Sequence, residues 1–117
     1  MLMSFNLLAS YKGKLELISA ADLLADREQY LVLDTRSAEE FAEGHIAGAI
    51  NIPHTEVVNK LEQLKGTDKT IVVHCRSGRR ALVAEQALLD AKFTNLKHLE
   101  GDMKGWLAQQ LPVEPQQ

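Results

Sequence analysis

Along the chain, short apolar runs alternate with stretches in which apolar residues recur at helical spacing. That is the pattern of an α/β domain with a largely parallel sheet. Tyr30-Leu31-Val32-Leu33-Asp34 reads as a buried strand ending in a polar residue. Thr70-Ile71-Val72-Val73-His74, β-branched almost throughout, is the clearest strand signal. Gly48 to Pro53 is expected to be extended, because Pro53 steers Ile52 away from helix. Asn95 to Leu99 predicts a last, weaker strand. Ser19 is placed as the N-cap of a helix carrying Leu23 and Leu24, and Ser37-Ala38-Glu39-Glu40 has the form of a capping box, with Gly44 as the stop. Val57, Val58, Leu61 and Leu64 predict a helix closed by Gly66. Ala81, Val83, Ala84, Ala87, Leu88 and Leu89 mark a strongly apolar helix, and Met103 to Gln110 a short final one. These elements assign residues 15–110 to one domain, 1–14 to an N-terminal extension and 111–117 to a flexible tail.

At 117 residues, with 45% hydrophobic and 25% charged residues, the chain has the make-up of an ordinary globular domain with one core. A net charge of −3 gives it no overall attraction to nucleic acid or to an anionic membrane. The N-terminal stretch has no basic residue ahead of its short apolar run, which Ser4 and Asn6 interrupt, so it is not expected to act as a signal peptide. Nothing approaches the roughly 20 apolar residues of a membrane span. A single cysteine cannot form an internal disulfide, and a cytoplasmic location is expected.

That cysteine changes the picture. Cys75 follows the clearest strand and opens the loop Cys75-Arg76-Ser77-Gly78-Arg79-Arg80, which runs into the apolar helix. Ligands of open α/β sheets bind beyond the carboxyl ends of the strands. A helix start aims backbone N–H groups at one point, and Gly78 allows the turn that curves them around a sulfur. Three of the 13 basic residues, Arg76, Arg79 and Arg80, fall within the five positions after Cys75. Each feature favours thiolate over thiol and would hold an anion. A lone cysteine is most often a small buried hydrophobe, but this basic, glycine-containing context is poor company for a core position. Cys75 is therefore read as a sulfur nucleophile. His54 and His98 have no cysteine or histidine partner at ligand spacing, so no metal site is expected.

Several motifs in order carry a further resemblance: Leu33-Asp34-Thr35-Arg36, Glu40-Phe41, the run from Gly44-His45 to Pro53, Val73 to Arg80, and Leu99-Glu100-Gly101 followed by Trp106. In these the chain resembles the small single-domain rhodanese-like sulfurtransferases, from about Ser19 to Trp106. The resemblance implies a rhodanese-like fold, a central, mostly parallel sheet of about five short strands with helices on both faces. It also implies a ping-pong transfer of sulfane sulfur from a donor such as thiosulfate, through a Cys75 persulfide, to cyanide or a thiol. The amides of residues 76–80 would stabilise the persulfide, the arginine side chains would hold the anionic donor, and no cofactor is implied. Asp34 is expected to accept hydrogen bonds that support the active loop, and Arg36 to pair with Glu40. His45 is expected to satisfy backbone groups in a turn. Two departures stand out: Asp102 occupies a position where many relatives have a second glycine, and Glu40 one where tandem-domain thiosulfate enzymes tend to carry arginine. The first is expected to narrow or recharge a nearby rim, and the second puts those enzymes' substrate preference in doubt.

Phosphatases and arsenate reductases of related fold place five residues between cysteine and arginine, whereas Cys75 and Arg80 have four between them. The shorter loop suits a sulfur atom better than a phosphate group. A non-catalytic interaction module would be expected to lack the cysteine. A sulfur carrier serving a protein partner in a relay would use the same chemistry, and the sequence does not separate it from a free thiosulfate:cyanide enzyme.

Overall fold

The computed structural model describes residues 15–115, and the proposed extension at 1–14 lies outside them. Its elements, in order, are β1 (Glu16–Ile18), α1 (Ala20–Ala25), β2 (Tyr30–Asp34), α2 (Ala38–Glu43), β3 (Ile50–Asn51), β4 (Thr70–His74), α3 (Arg79–Asp90), β5 (Leu96–Leu99) and α4 (Asp102–Ala108). The five strands form one sheet in the order β1-β5-β4-β2-β3, every pair parallel. The expected α/β class and sheet are therefore present. Helical layers cover both faces, which is why the central strands read as nearly unbroken apolar runs.

Alternation along β4 divides the core. Ile71 and Val73 face a cluster with Leu33, Ile52, Val57, Leu64, Ala84 and Leu88, while Val72 faces a second cluster with Leu23, Val32, Ile46, Leu99 and Trp106. Cys75, the residue after β4, belongs to the first cluster and is 1% exposed.

Local signals place most boundaries where the sequence put them. The Ser19 hydroxyl accepts from Asp22 N, and the Ser37–Glu40 capping box is complete in both directions. Two expectations change. The helix expected around Val57 to Leu64 is instead two 3₁₀ segments, His54–Asn59 and Leu61–Gln63, broken at Lys60. Thr55, Val57, Val58 and Asn59 are weak helix formers, and the segment buries only Val57 and Leu64 while Val58 stays exposed. The segment from 111, expected to be a flexible tail, returns to the domain as far as it is described. Leu111 and Val113 pack on the second cluster, Trp106 Nε1 donates to Pro112 O at 3.0 Å, and His45 and Glu114 exchange backbone hydrogen bonds at 3.0 and 2.8 Å.

The path of the chain fixes where a ligand can sit. After β2 the chain moves outward to β3; after β4 it moves the opposite way, to β5. The C-terminal ends of β2 and β4 therefore bound the crevice at which open parallel sheets bind ligands. Among the described residues no helix is long and apolar enough to cross a membrane.

Candidate active site

Both strand ends at this crevice are immobilised by hydrogen bonds. Thr35, just after β2, donates to His74 O from its N and from its Oγ1, each at 2.9 Å. His74 is fully buried, and its Nδ1 lies 3.0 Å from Cys75 O; a carbonyl can only accept, so Nδ1 carries the proton. Burial lowers its pKa, an effect only partly opposed by Asp34 and by the bond to Cys75, and the ring is neutral.

Cys75 then turns its sulfur toward the start of α3. Sγ accepts from Gly78 N at 3.0 Å and from Ala81 N at 3.3 Å. Among the described residues these two amides supply the sulfur's hydrogen bonds. Of residues 76–80, expected from the sequence to supply a cradle of amides, Gly78 donates to Sγ, and Ala81 does so one residue further on. Gly78 adopts φ +107°, a conformation that strains other residues, and a Cβ there would come within 3.3 Å of Asp102 Oδ2.

The three arginines do not act alike. Arg76 and Arg79 are exposed beside the loop, as is Ser77. Arg80 instead forms a forked pair with Glu40, with Nη1 to Oε1 at 2.7 Å and Nη2 to Oε2 at 3.0 Å. The Arg80–Glu40 hydrogen bond holds the Glu40 pKa down to about 2 and raises that of Arg80, to which the charge of Cys75 adds a smaller share. Arg80 therefore belongs to a bridge between α2 and α3 and is not a free cation at the mouth.

The same pair overturns the expected contact between Arg36 and Glu40. Arg36 is buried and grips Asp34 through Nε and Nη2 at 2.6–3.1 Å, with Nη2 also donating to Gly44 O at 2.8 Å. Asp34 precedes Arg36 by two residues at the strand end, within easy reach of the fork, while Glu40 Oε1 is engaged by Ser37 N in the capping box. The Asp34 carboxylate is thus committed to Arg36 and does not bond the Cys75 loop. Its Oδ2 also lies 3.7 Å from Nε2 of His74, the residue before that loop. His45 has the expected structural role: Nδ1 donates to Phe41 O at 2.8 Å, and the ring stacks on Phe41 at 3.8 Å.

One group of residues escaped sequence reasoning. Asp102, expected at the rim, is 5% exposed, and its Oδ1 accepts from Cys75 N at 3.0 Å. Its Oδ2 lies 3.0 Å from His98 Nε2, and His98 Nδ1 bonds Glu85, which is fully buried. Burial works against a charged His98, but the hydrogen bonds and charges of Asp102 and Glu85 outweigh it and hold its pKa up to about 10. A signal was present in the sequence: Glu85 lies four residues after Ala81 and three before Leu88, on the buried face of α3, where a carboxylate needs a partner.

Two clefts flank the loop. One, of about 340 Å³, lies between Ser77, Gly78 and Arg79 on the loop side and Leu17, Leu82 and His98 opposite. The other, of about 210 Å³, is bordered by Arg36, Glu40 and Arg76, with Met103 and Leu107 also lining it. Chemically, the arrangement offers a buried sulfur with two amide donors, an anion-attracting surface at Arg76 and Arg79, and space on either side.

Comparison with known proteins agrees with this architecture. The rhodanese-like domain family matches residues 18–109. The chain is 37% identical over 106 residues to thiosulfate sulfurtransferase 16, chloroplastic, of Arabidopsis thaliana, covering 81% of this chain and 87% of that protein. It is 30% identical over 95 residues to a sulfurtransferase of Allochromatium vinosum, covering 81% and 88% of the two chains. Among solved structures, a rhodanese-related protein from Thermoplasma volcanium superposes with a TM-score of 0.73 at 33% identity, over 85% of this chain and 97% of that one. This protein belongs to the rhodanese-like domain family.

Proposed function

We propose that the protein is a sulfurtransferase that carries a sulfane sulfur on Cys75, taking it from a small anionic donor such as thiosulfate and passing it to cyanide or a thiol. The observation that carries this reading is the Cys75 Sγ held by Gly78 N and Ala81 N, at the crevice between the ends of β2 and β4. In the first half-reaction a lone pair on Sγ attacks the outer sulfur of thiosulfate. The Sγ–S bond forms, the bond to the sulfonate sulfur breaks, and sulfite leaves with that electron pair. In the second half-reaction cyanide or a thiolate attacks the outer sulfur, and Sγ departs with its electrons as the thiolate. The two half-reactions balance without a cofactor or an external oxidant.

The amides of Gly78 and Ala81 stabilise negative charge on Sγ in the resting thiolate and as Sγ departs when the sulfur is handed on. Arg76 and Arg79 attract and orient the donor anion. Arg80, tied to Glu40, is not positioned to clamp a tetrahedral phosphate, which supports sulfur over phosphoryl chemistry. The same Cys75 chemistry would serve a sulfur-relay partner protein, and the lone cysteine suits a reducing cytoplasm.

Incubation with thiosulfate followed by intact mass measurement tests the reading. One added sulfur atom, removable by a reductant and absent in Cys75→Ala, is expected. No added mass, or the same gain in Cys75→Ala, refutes it.

A further inference from the structure

Cys75 is gripped at its backbone as well as at its sulfur. Its N–H donates to Asp102 Oδ1 at 3.0 Å, its carbonyl accepts from Met103 N at 3.0 Å, and the next carbonyl, of Arg76, accepts from Lys104 N at 3.0 Å. Asp102 is held in turn through its second oxygen by His98 on β5, and His98 by Glu85 on α3. Glu85 stands one helical turn beyond Ala81, whose amide binds the sulfur. The contacts therefore close a ring: sulfur, Ala81, Glu85, His98, Asp102 and back to the amide of Cys75. Through this ring the helix that supplies a sulfur donor and the backbone that carries the sulfur are locked to one another.

We propose that Asp102 is a positioning residue for Cys75, kept in place by the His98–Glu85 pair, and that the ring they form sets where the sulfur sits relative to its amide donors. Two observations beyond the contact itself support this. Asp102 adopts φ +54°, a left-handed conformation that costs a non-glycine residue energy and that glycine adopts freely. Its carboxylate is also almost completely buried, where only paired charges persist. His98 supplies the pairing charge for both carboxylates. Arg79 is the other charged side chain lining the cleft next to His98 and Asp102.

The inference deepens the sulfur-transfer reading, but one arm of its test does not depend on that reading. Asp102→Gly removes the carboxylate while suiting the backbone; Asp102→Asn keeps an oxygen that can accept from Cys75 N. Hydrogen exchange is measured amide by amide in the wild type and both variants. In Asp102→Gly, exchange at Cys75, Gly78 and Ala81 is expected to rise about tenfold more than at the core amides of Val72 and Leu88, with Asp102→Asn restoring most of the protection. In turnover of thiosulfate, kcat of Asp102→Gly is expected to fall about tenfold with KM within about twofold, and Asp102→Asn to recover most of the rate. Loop amides that exchange in Asp102→Gly only as far as the core amides do overturn the proposal, and so does a kcat equal to wild type in a working transferase. Should the wild type transfer no sulfur at all, the exchange arm still decides the positioning role.

Discussion

The forked bridge between Glu40 and Arg80 can be perturbed without disturbing its surroundings, because Glu40 has two separable tasks. One is the capping box, in which Oε1 accepts from Ser37 N at 2.9 Å; the other is the pair with Arg80 at 2.7 and 3.0 Å. Glu40→Gln retains an oxygen for the cap and removes the charge, whereas Glu40→Ala removes both. Hydrogen bonds to charged groups contribute about 1.5–3 kcal/mol where water is excluded. Here the side chains are 29% and 31% exposed, so solvent screening brings the expected coupling down to about 1 kcal/mol, the top of the surface range. For a chain of this size that is a fall of about 4 °C in Tm. The assay is a double-mutant cycle of thermal or urea unfolding at pH 7 with Glu40→Gln, Arg80→Gln and the pair. Since the Glu40 pKa is depressed to about 2, the stabilisation is present above the ordinary carboxylate pKa and is lost as pH falls toward 2. Glu40→Gln also frees a guanidinium close to the loop, so KM for thiosulfate is expected to fall. A coupling energy near zero, or a Glu40→Gln protein as stable as wild type, would show that the bridge adds nothing beyond the cap.

Two further outcomes are expected. Replacing the exposed Arg76 and Arg79 with glutamine should raise KM for thiosulfate by several-fold while leaving alkylation of Cys75 by neutral iodoacetamide nearly unchanged; equal losses in both would mean that these arginines act on the thiol and not on the donor. His98 has a folded-state pKa raised to about 10, so its contribution to stability is complete below its unfolded value near 6.5 and is lost as pH rises through 10. Stability measured by urea unfolding should decline from pH 7 to pH 10, and His98→Gln should flatten that decline; an unchanged slope in the variant would refute the assignment.

The parts of this molecule written in local signals were legible from the sequence. Ser19, Ser37 and Gly44 mark helix ends through side-chain caps and backbone geometry that act within a few residues. β2 and β4 declare themselves because both of their faces are buried, and Cys75 because its basic loop is contiguous in sequence. What depends on side chains meeting across the fold was not legible. Edge strand β1 is three residues long with Leu17 exposed, too short to show alternation, and it is defined by pairing with β5 some eighty residues later. Arg36 had two carboxylates within reach, and spacing favoured Glu40, but the strand end turns Asp34 toward it. Asp102 and Cys75 are 27 residues apart in sequence, and only the parallel order β5-β4 brings the residues after those two strands together. The buried face of α3 held the one available clue, a glutamate where an apolar residue belonged.

The enclosure of Cys75, at 1% exposure, has a consequence for what the sulfur can meet. A disulfide needs the two Cα atoms within about 7 Å, and a sulfur this enclosed is poorly placed for that approach to a second folded copy of this chain. Glutathione and other bulky disulfides face the same wall. A slim, linear or end-on reagent does not. Once a second sulfur is attached to Sγ, the outermost atom stands one bond further out than the thiol did. Under the proposed sulfur transfer the loop acts as a one-atom extension gauge: empty, it keeps bulky disulfides from the thiol; loaded, it holds its cargo one bond beyond Sγ, where an acceptor would collect it.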